Sequence, residues 1–446
     1  MVDPKKPKEV RFTDIANPKL SWQQKLALRL GKGQKISFTQ AAVLGAASRR
    51  TGLDDFGPDD FRERLQILLD EYEGDAGLTA IQRQILFSNL VRYASNRLLI
   101  EDVLKKHPEI HEIEIKKPII VVGLPRSGTT HLLNLLAADQ RFRSLPLWES
   151  YEPLHVPGKE SFGALRKVLI RLLDGLRSLR ERDFSPSPLQ FDPRYRRCDF
   201  EWKMMQVMAP HIAAMHPMNP DHIHEELELM GPDISSYIFE WTSMTPNYRD
   251  HYFQTDQTPH YEYMKTVLKI LQWQKGPDRW VLKCPQHLEQ LPVLKKTFPD
   301  ATFVVTHRDP VAVIQSAVTM MGYSQRMGRR KVETQKLVTY WTDRIEHLLQ
   351  ASIRDRHVLP DEQSIDVLFH EFMADDIGSI EKIYQKAGVD LTVEARAQFD
   401  AFIRDHPRGK HGRVIYDLKG NFGVDPKSLQ NRFDFYYDQF AVRKEH

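Results

Sequence analysis

Two cysteines in 446 residues, Cys198 and Cys284, are too few for a disulfide framework or a cysteine-based metal cluster, and they point to a reducing compartment. No run of about 18 apolar residues occurs, so no segment reads as a membrane span. The opening MVDPKKPKEVRF lacks the apolar core of a secretory leader, which makes the cytoplasm the expected location. An excess of either charge is lacking as well. The formal net charge is only +3, too mild to indicate a nucleic-acid partner. Repeats and low-complexity tracts are missing. What remains is a chain long enough for one large α/β domain plus an accessory region.

The densest information lies in Pro118 to His131, PIIVVGLPRSGTTH. Ile119 to Val122 are apolar and β-branched. They run into Gly123, Pro125 and Gly128, and the chain resumes as HLLNLLAAD with helical spacing. The pattern predicts a buried strand, a tight glycine loop and a helix start. Such a loop gathers backbone N–H groups at the positive end of a helix dipole, which suits a phosphate. Pro125, Arg126, Ser127, Gly128, Thr129 and Thr130 are the candidate phosphate-binding residues. The loop nearly fits the Walker A pattern, but Thr129 stands where that motif needs lysine, and the cation is Arg126 instead. A nucleotide site is expected, but not that of an ordinary ATPase.

A second unit of similar build spans Trp280 to Ser316. Val281 to Lys283 reads as a short strand carrying a lysine out of its end. Gln286 to Lys296 fits a helix, and Ala301 to Thr306 a parallel strand. His307-Arg308-Asp309-Pro310 leaves that strand, and a helix starts at Val311. Ligands of open α/β sheets bind at the C-terminal ends of the strands. Arg308 and Ser316 are placed there, and a guanidinium with a hydroxyl can share a second phosphate.

These segments together resemble the sulfotransferases that use 3′-phosphoadenosine 5′-phosphosulfate (PAPS). PRSGTT at Pro125 to Thr130 is similar to the family's loop for the 5′-phosphosulfate, and Arg308 with Ser316 matches its 3′-phosphate pair in type and spacing. LFHEF at Leu368 to Phe372 resembles the segment that often sets a tyrosine beside the adenine, with His370 at that position. GKHGR at Gly409 to Arg413 resembles the late basic loop over the nucleotide, offering Lys410, Gly412 and Arg413. The resemblance covers roughly Lys116 to Phe440. It is nearest to the bacterial branch, which has a helical N-terminal extension and a PLWE segment like Pro146 to Glu149.

The resemblance implies an α/β fold: a P-loop-like parallel sheet flanked by helices. An N-terminal arm and helical extension would occupy residues 1–115, and the sulfotransferase domain residues 116–446. It implies PAPS as co-substrate, no metal, and transfer of a sulfuryl group to an acceptor hydroxyl. Arg126 and Lys283 become the cations of the reaction, Lys283 near the bridging oxygen. Glu149 is the preferred proton acceptor. His287 is its rival, but it lies four residues after Lys283, where the histidine-using branches space the pair by two. Two other classes stand beside this one. A kinase or NTPase with a degenerate loop would need magnesium and the missing lysine. A non-enzymatic adaptor retaining a silent nucleotide fold would not need Arg126, Lys283, Arg308 and Ser316, all of which are present.

Elsewhere, residues 1 to about 20 read as a loose arm, and four helices are expected at Trp22 to Leu30, Phe38 to Arg49, Asp59 to Glu71 and Thr79 to Lys106. Phe162 to Arg182 is a basic amphipathic stretch, with a surface helix preferred over a membrane-lying one. Six methionines crowd Trp202 to Met230, as core or as the wall of an apolar pocket. The histidines among them lack a compact metal-ligand pattern. The expected partner is a small acceptor, an apolar alcohol, phenol or lipid, with membrane-surface contact open. No oligomerisation motif stands out.

Overall fold

Ile119 to Val122 are wholly buried, so the strand they form needs helices on both of its faces. The computed structural model describes residues 8–31, 36–159, 167–168, 191–277 and 279–445. At its centre is a parallel sheet in the order β3-β2-β4-β5, made of β2 (Ile119–Gly123), β3 (Val281–Lys283), β4 (Thr302–His307) and β5 (Ser364–Leu368). Val121 faces Lys283 on one side, and Gly123 faces Thr306 on the other. Strand alternation splits the side chains between two cores. Ile120, Val122, Leu282, Phe303 and Val305 point into one, and Ile119, Val121, Val281 and Val304 into the other.

The expected helix Gln286 to Lys296 is two pieces. Pro285–Glu289 is a 3₁₀ turn and Leu291–Thr297 an α-helix. Pro292 has no N–H to donate and is tolerated in a first turn but not in a helix interior, so the break falls before it.

The N-terminal helices α1 (Trp22–Gly31), α2 (Gln40–Thr51), α3 (Phe61–Gly74) and α4 (Ala80–Lys106) follow the expected pattern. Thr39 and Thr79 cap α2 and α4 by accepting from Ala42 and Gln82 amides. Their core also takes in Ile234, Phe239 and Tyr248, so the extension packs onto the body of the protein. Residues 8–20 are not a loose arm. Glu9–Arg11 (β1) pairs in parallel with Arg413–Ile415 (β6), and Phe12 and Ile15 are buried in the main core. A three-residue strand carries no periodicity to read, and its partner lies about four hundred residues away.

Candidate active site

The loop after β2 is built by close approach. A Cβ on Gly123 would lie 1.9 Å from Thr306 Oγ1, so only glycine lets β2 and β4 stay paired to their ends. Arg126 and Gly128 both have positive φ, 66° and 82°, and turn the chain into helix α5 (Thr129–Leu136). A Cβ on Gly128 would touch the Phe369 ring at 3.0 Å. Ser127 faces inward: its hydroxyl donates to the Leu124 carbonyl (2.6 Å) and shares a hydrogen with Thr306 Oγ1 (3.1 Å). Thr129 is buried at the helix start, and Thr130 is within 3.4 Å of Lys283 Nζ.

Arg126, Arg308 and Ser316 meet. Arg126 Nε donates to Ser316 Oγ (3.0 Å), and its Nη2 donates to the Met215 carbonyl (2.6 Å). The Arg126 carbonyl accepts from Arg308 Nη1 (2.6 Å), and Ser316 donates to the Tyr416 hydroxyl (2.9 Å). The Arg308 guanidinium stacks over Phe369 at 4.0 Å. Its outer edge is held by both Glu445 oxygens, at 2.7 and 2.8 Å. A guanidinium fork of this kind takes a carboxylate or a phosphate in the same bidentate geometry. An open recess of about 540 Å³ lies here, lined by Arg308, Phe369, His370, Met373 and the chain end from Val442 to Glu445.

The late basic residues make contacts within their own segment and with β1. Lys410 Nζ reaches the Asp405 carbonyl, the Gly412 amide reaches Gly409, and the Arg413 amide donates to Lys8 as part of β6. Tyr416, just beyond β6, is the residue of that segment that reaches Ser316. Phe369, adjacent to His370, is the aromatic that meets both the loop and Arg308. Phe369 lies within LFHEF, where the sequence pattern singled out His370 instead, and Tyr416 lies outside GKHGR. Their roles depend on which way two short segments pack.

The candidate bases part company. Glu149, on helix α6 (Leu147–Tyr151), is buried and paired with Arg143 at 2.5 Å. Arg143 lies opposite Trp280, at the start of β3, whereas Lys283 closes that strand. The carboxylate beside Lys283 Nζ is Glu225. It is set there by α5: Asn134 clamps both the amide and the carbonyl of Ile223 at 3.2 Å. Nothing in HIHEELELM marks Glu225 in advance, because its relation to Lys283 exists only through the fold. Its neighbour Glu226 faces inward and accepts from the Lys283 amide (2.8 Å). Burial pushes its pKa up to about 8. His287 is wholly buried and meets the Tyr261 hydroxyl at 3.0 Å. Burial, then the charge of Lys283, pushes its pKa down to about 3, so it is a poor proton acceptor.

Two groups of metal-type ligand atoms occur among the described residues. Asp60, Asp233 and His260 are already served by Arg64 and Arg97, an ion-pair network. In the other, Glu226 and Cys284 are both held towards their protonated forms by burial, the opposite of what a cation needs. The methionines are dispersed: Met215 and Met230 are in the core, Met218 packs against Trp148 and Cys198, and Met204 is exposed. The amphipathic stretch at 162–182 lies, but for residues 167 and 168, outside the described residues. No helix among them is long and apolar enough to cross a membrane.

The parallel sheet thus carries a glycine loop after its central strand β2, and two arginines and a serine converge beside that loop. The chain belongs to the sulfotransferase family, whose model matches residues 118–393. It is similar to the omega-hydroxy-beta-dihydromenaquinone-9 sulfotransferase Stf3 of Mycobacterium bovis and of Mycobacterium tuberculosis, 24% identical over 277 residues. That match spans 61% of this chain and 63% of the curated relatives' length. The crystal structure of sulfotransferase STF1 from Mycobacterium tuberculosis matches with a TM-score of 0.72 and 28% identity, over 90% of this chain and 99% of that one. STF9 from Mycobacterium avium matches with a TM-score of 0.73 and 25% identity, over 92% and 99%.

Proposed function

We propose that this protein transfers the sulfuryl group of PAPS to the hydroxyl of an apolar, lipid-like acceptor. The observation that carries the reading is the convergence of Arg126, Arg308 and Ser316 beside the loop, with a carboxylate already forked onto Arg308. The residues fit the nucleotide: the loop turns at two positive-φ positions into the first-turn amides of α5, and a second anion position lies on Arg308. PAPS supplies an activated sulfuryl group. The loop amides, Thr129 and Thr130 hold its 5′ end. Arg308, Ser316 and Tyr416 hold the 3′-phosphate, and Phe369 with His370 offers flat surfaces for the base. Lys283 and Arg126 stabilise charge growing on the leaving oxygen. Glu225, rather than Glu149 or His287, takes the acceptor proton, because it is the carboxylate that shares the end of β3 with Lys283. The acceptor class rests on the curated relative, whose name gives a hydroxylated menaquinone derivative as its substrate.

Thermal shift with nucleotides tests the first half. Adenosine 3′,5′-bisphosphate raises the melting temperature well above the effect of AMP or ATP. Equal shifts would remove the 3′-phosphate site and the proposal with it. Labelled PAPS with a pooled lipid extract, in EDTA, tests the second half. Label appears in an organic-soluble product without added metal.

A further inference from the structure

Arg126 is held by two elements and braced by a third. Its Nε donates to Ser316, on the helix Pro310–Ser324, and its Nη2 to the carbonyl of Met215, which ends the short helix Ile212–Met215. Ser316 in turn donates to the hydroxyl of Tyr416, one residue beyond β6. Residues 8–15 reach all three. In β1, Val10 lies opposite Val414 of β6, and the Lys8 carbonyl accepts from the Arg413 amide at 2.9 Å. The Phe12 ring lies 4.5 Å from that of Tyr323 and 6.3 Å from that of His211, which precedes the short helix and whose amide donates to the Tyr323 hydroxyl. Tyr323 is seven residues, about two turns, beyond Ser316, and so on the same side of their helix. Ile15 packs on Gly322, where a Cβ would lie 2.6 Å from it, and Asp14 pairs with Arg326 at 2.7 Å.

Little else fixes β6. It is three residues long and, among the described residues, pairs with no strand but β1. The loop that feeds it turns at Gly409 and Gly412, with φ of 78° and 106°. An isolated pair of short strands is not stable by itself in water. The anchorage therefore comes from burial of Val10, Phe12 and Ile15, each less than a tenth exposed. The contact is close: a Cβ on Gly412 would lie 2.9 Å from Val10 Cγ2 and 3.0 Å from the Lys8 carbonyl oxygen.

We infer that residues 8–15 are a clasp on the nucleotide site. Phe12 is a positioning residue: through β1 and β6 it sets the Tyr416 hydroxyl on Ser316, and so sharpens selectivity for a nucleotide that carries a 3′-phosphate. That role rests on the proposed sulfotransfer from PAPS. Linkage makes the effect reciprocal, so a nucleotide bound through its 3′-phosphate holds the clasp shut as the clasp holds the site.

Calorimetric titration of the full chain with adenosine 3′,5′-bisphosphate and with AMP tests it, alongside hydrogen exchange. Phe12→Ala should weaken the bisphosphate about three- to thirtyfold and AMP by less than about twofold. Phe12→Leu, which keeps an apolar group in the same place, should restore most of the loss. Tyr416→Phe should also weaken the bisphosphate, and adding Phe12→Ala to it should cost almost nothing more, because the hydroxyl that Phe12 positions is gone. In the unmutated chain the bisphosphate should slow amide exchange at residues 9–12 more than AMP does, a result that needs no variant to fold. Equal losses for the two nucleotides in Phe12→Ala, full additivity with Tyr416→Phe, or exchange at residues 9–12 that the bisphosphate leaves unchanged overturns the inference and leaves the sulfotransfer reading standing. Failure of the unmutated chain to bind the bisphosphate sinks that reading and the clasp's role with it.

Discussion

The Arg308 guanidinium holds three kinds of group at once: a carbonyl of the loop, an aromatic face and the Glu445 carboxylate. Replacing it with alanine removes a charge-assisted contact to the 3′-phosphate, and affinity for adenosine 3′,5′-bisphosphate should fall about ten- to a hundredfold. Glu445→Gln should act in the opposite direction. Removing a competing anion from a partly exposed pair should tighten the same nucleotide about two- to tenfold. Calorimetric titration reads both; weaker binding by the glutamine variant would mean that the chain end helps hold the nucleotide. At the reacting end, Glu225→Gln should lower turnover about a hundredfold with nucleotide affinity nearly unchanged. Glu149→Gln should instead act through stability, because its partner is the buried Arg143. If Glu149→Gln costs the turnover and Glu225→Gln does not, the base assignment is reversed.

Elements bring these residues together, and the tightest joint is between β2 and β4. Gly123→Ala pushes a methyl group into Thr306 and strains both strand ends. A loss of stability of about 1–3 kcal/mol is expected from overpacking alone, measured as a lower urea midpoint. The end of β3 makes a second joint, where Glu226 accepts from the Lys283 amide. Its folded pKa, raised to about 8, exceeds the ordinary carboxyl value of 4.5. The folded chain thus keeps a proton that the unfolded chain releases. Stability from this group is full below the unfolded value and is lost as pH rises towards 8. Glu226→Gln keeps a carbonyl acceptor and should flatten the decline between about pH 5 and pH 8. An unchanged slope would show that another group sets it.

Across the whole molecule, ion pairs tie segments distant in sequence inside an apolar interior. Arg344, wholly buried on the helix Thr334–Asp355, binds Glu289 through both terminal nitrogens (2.7 and 2.6 Å) and Glu240 through Nε (3.0 Å). Arg344→Met leaves two buried carboxylates without their partner. The expected cost is roughly 3–5 kcal/mol, since breaking a buried pair strands a charge. The double variant with Glu240→Gln should recover part of it. Additive losses in chemical denaturation would show that the residues do not act as a unit. Similar pairs, Arg97 with Asp233 and Arg92 with Glu228, join the N-terminal extension to the body.

Local pattern was enough for the parallel strands, the glycine loop and the helices of the extension, because burial on two faces and the needs of a tight turn act on residues next to one another. It also singled out Arg126, Lys283 and Arg308, each at or just beyond the end of a strand that sequence can locate, and Ser316 on the helix that follows β4; the proposed nucleotide site is built on these four. The proposed proton acceptor, Glu225, was not legible. Glu149 and His287 sit at plausible spacings, yet one is taken by Arg143 and the other is sealed in the core, while Glu225 reaches Lys283 only because Asn134 pins a loop ninety residues further on. The strand at Glu9–Arg11, Phe369 against Gly128 and Glu445 on Arg308 belong to the same class. Each is a pairing between segments far apart in sequence, and the free energy that selects it comes from packing and charge in the assembled molecule, which no local window contains.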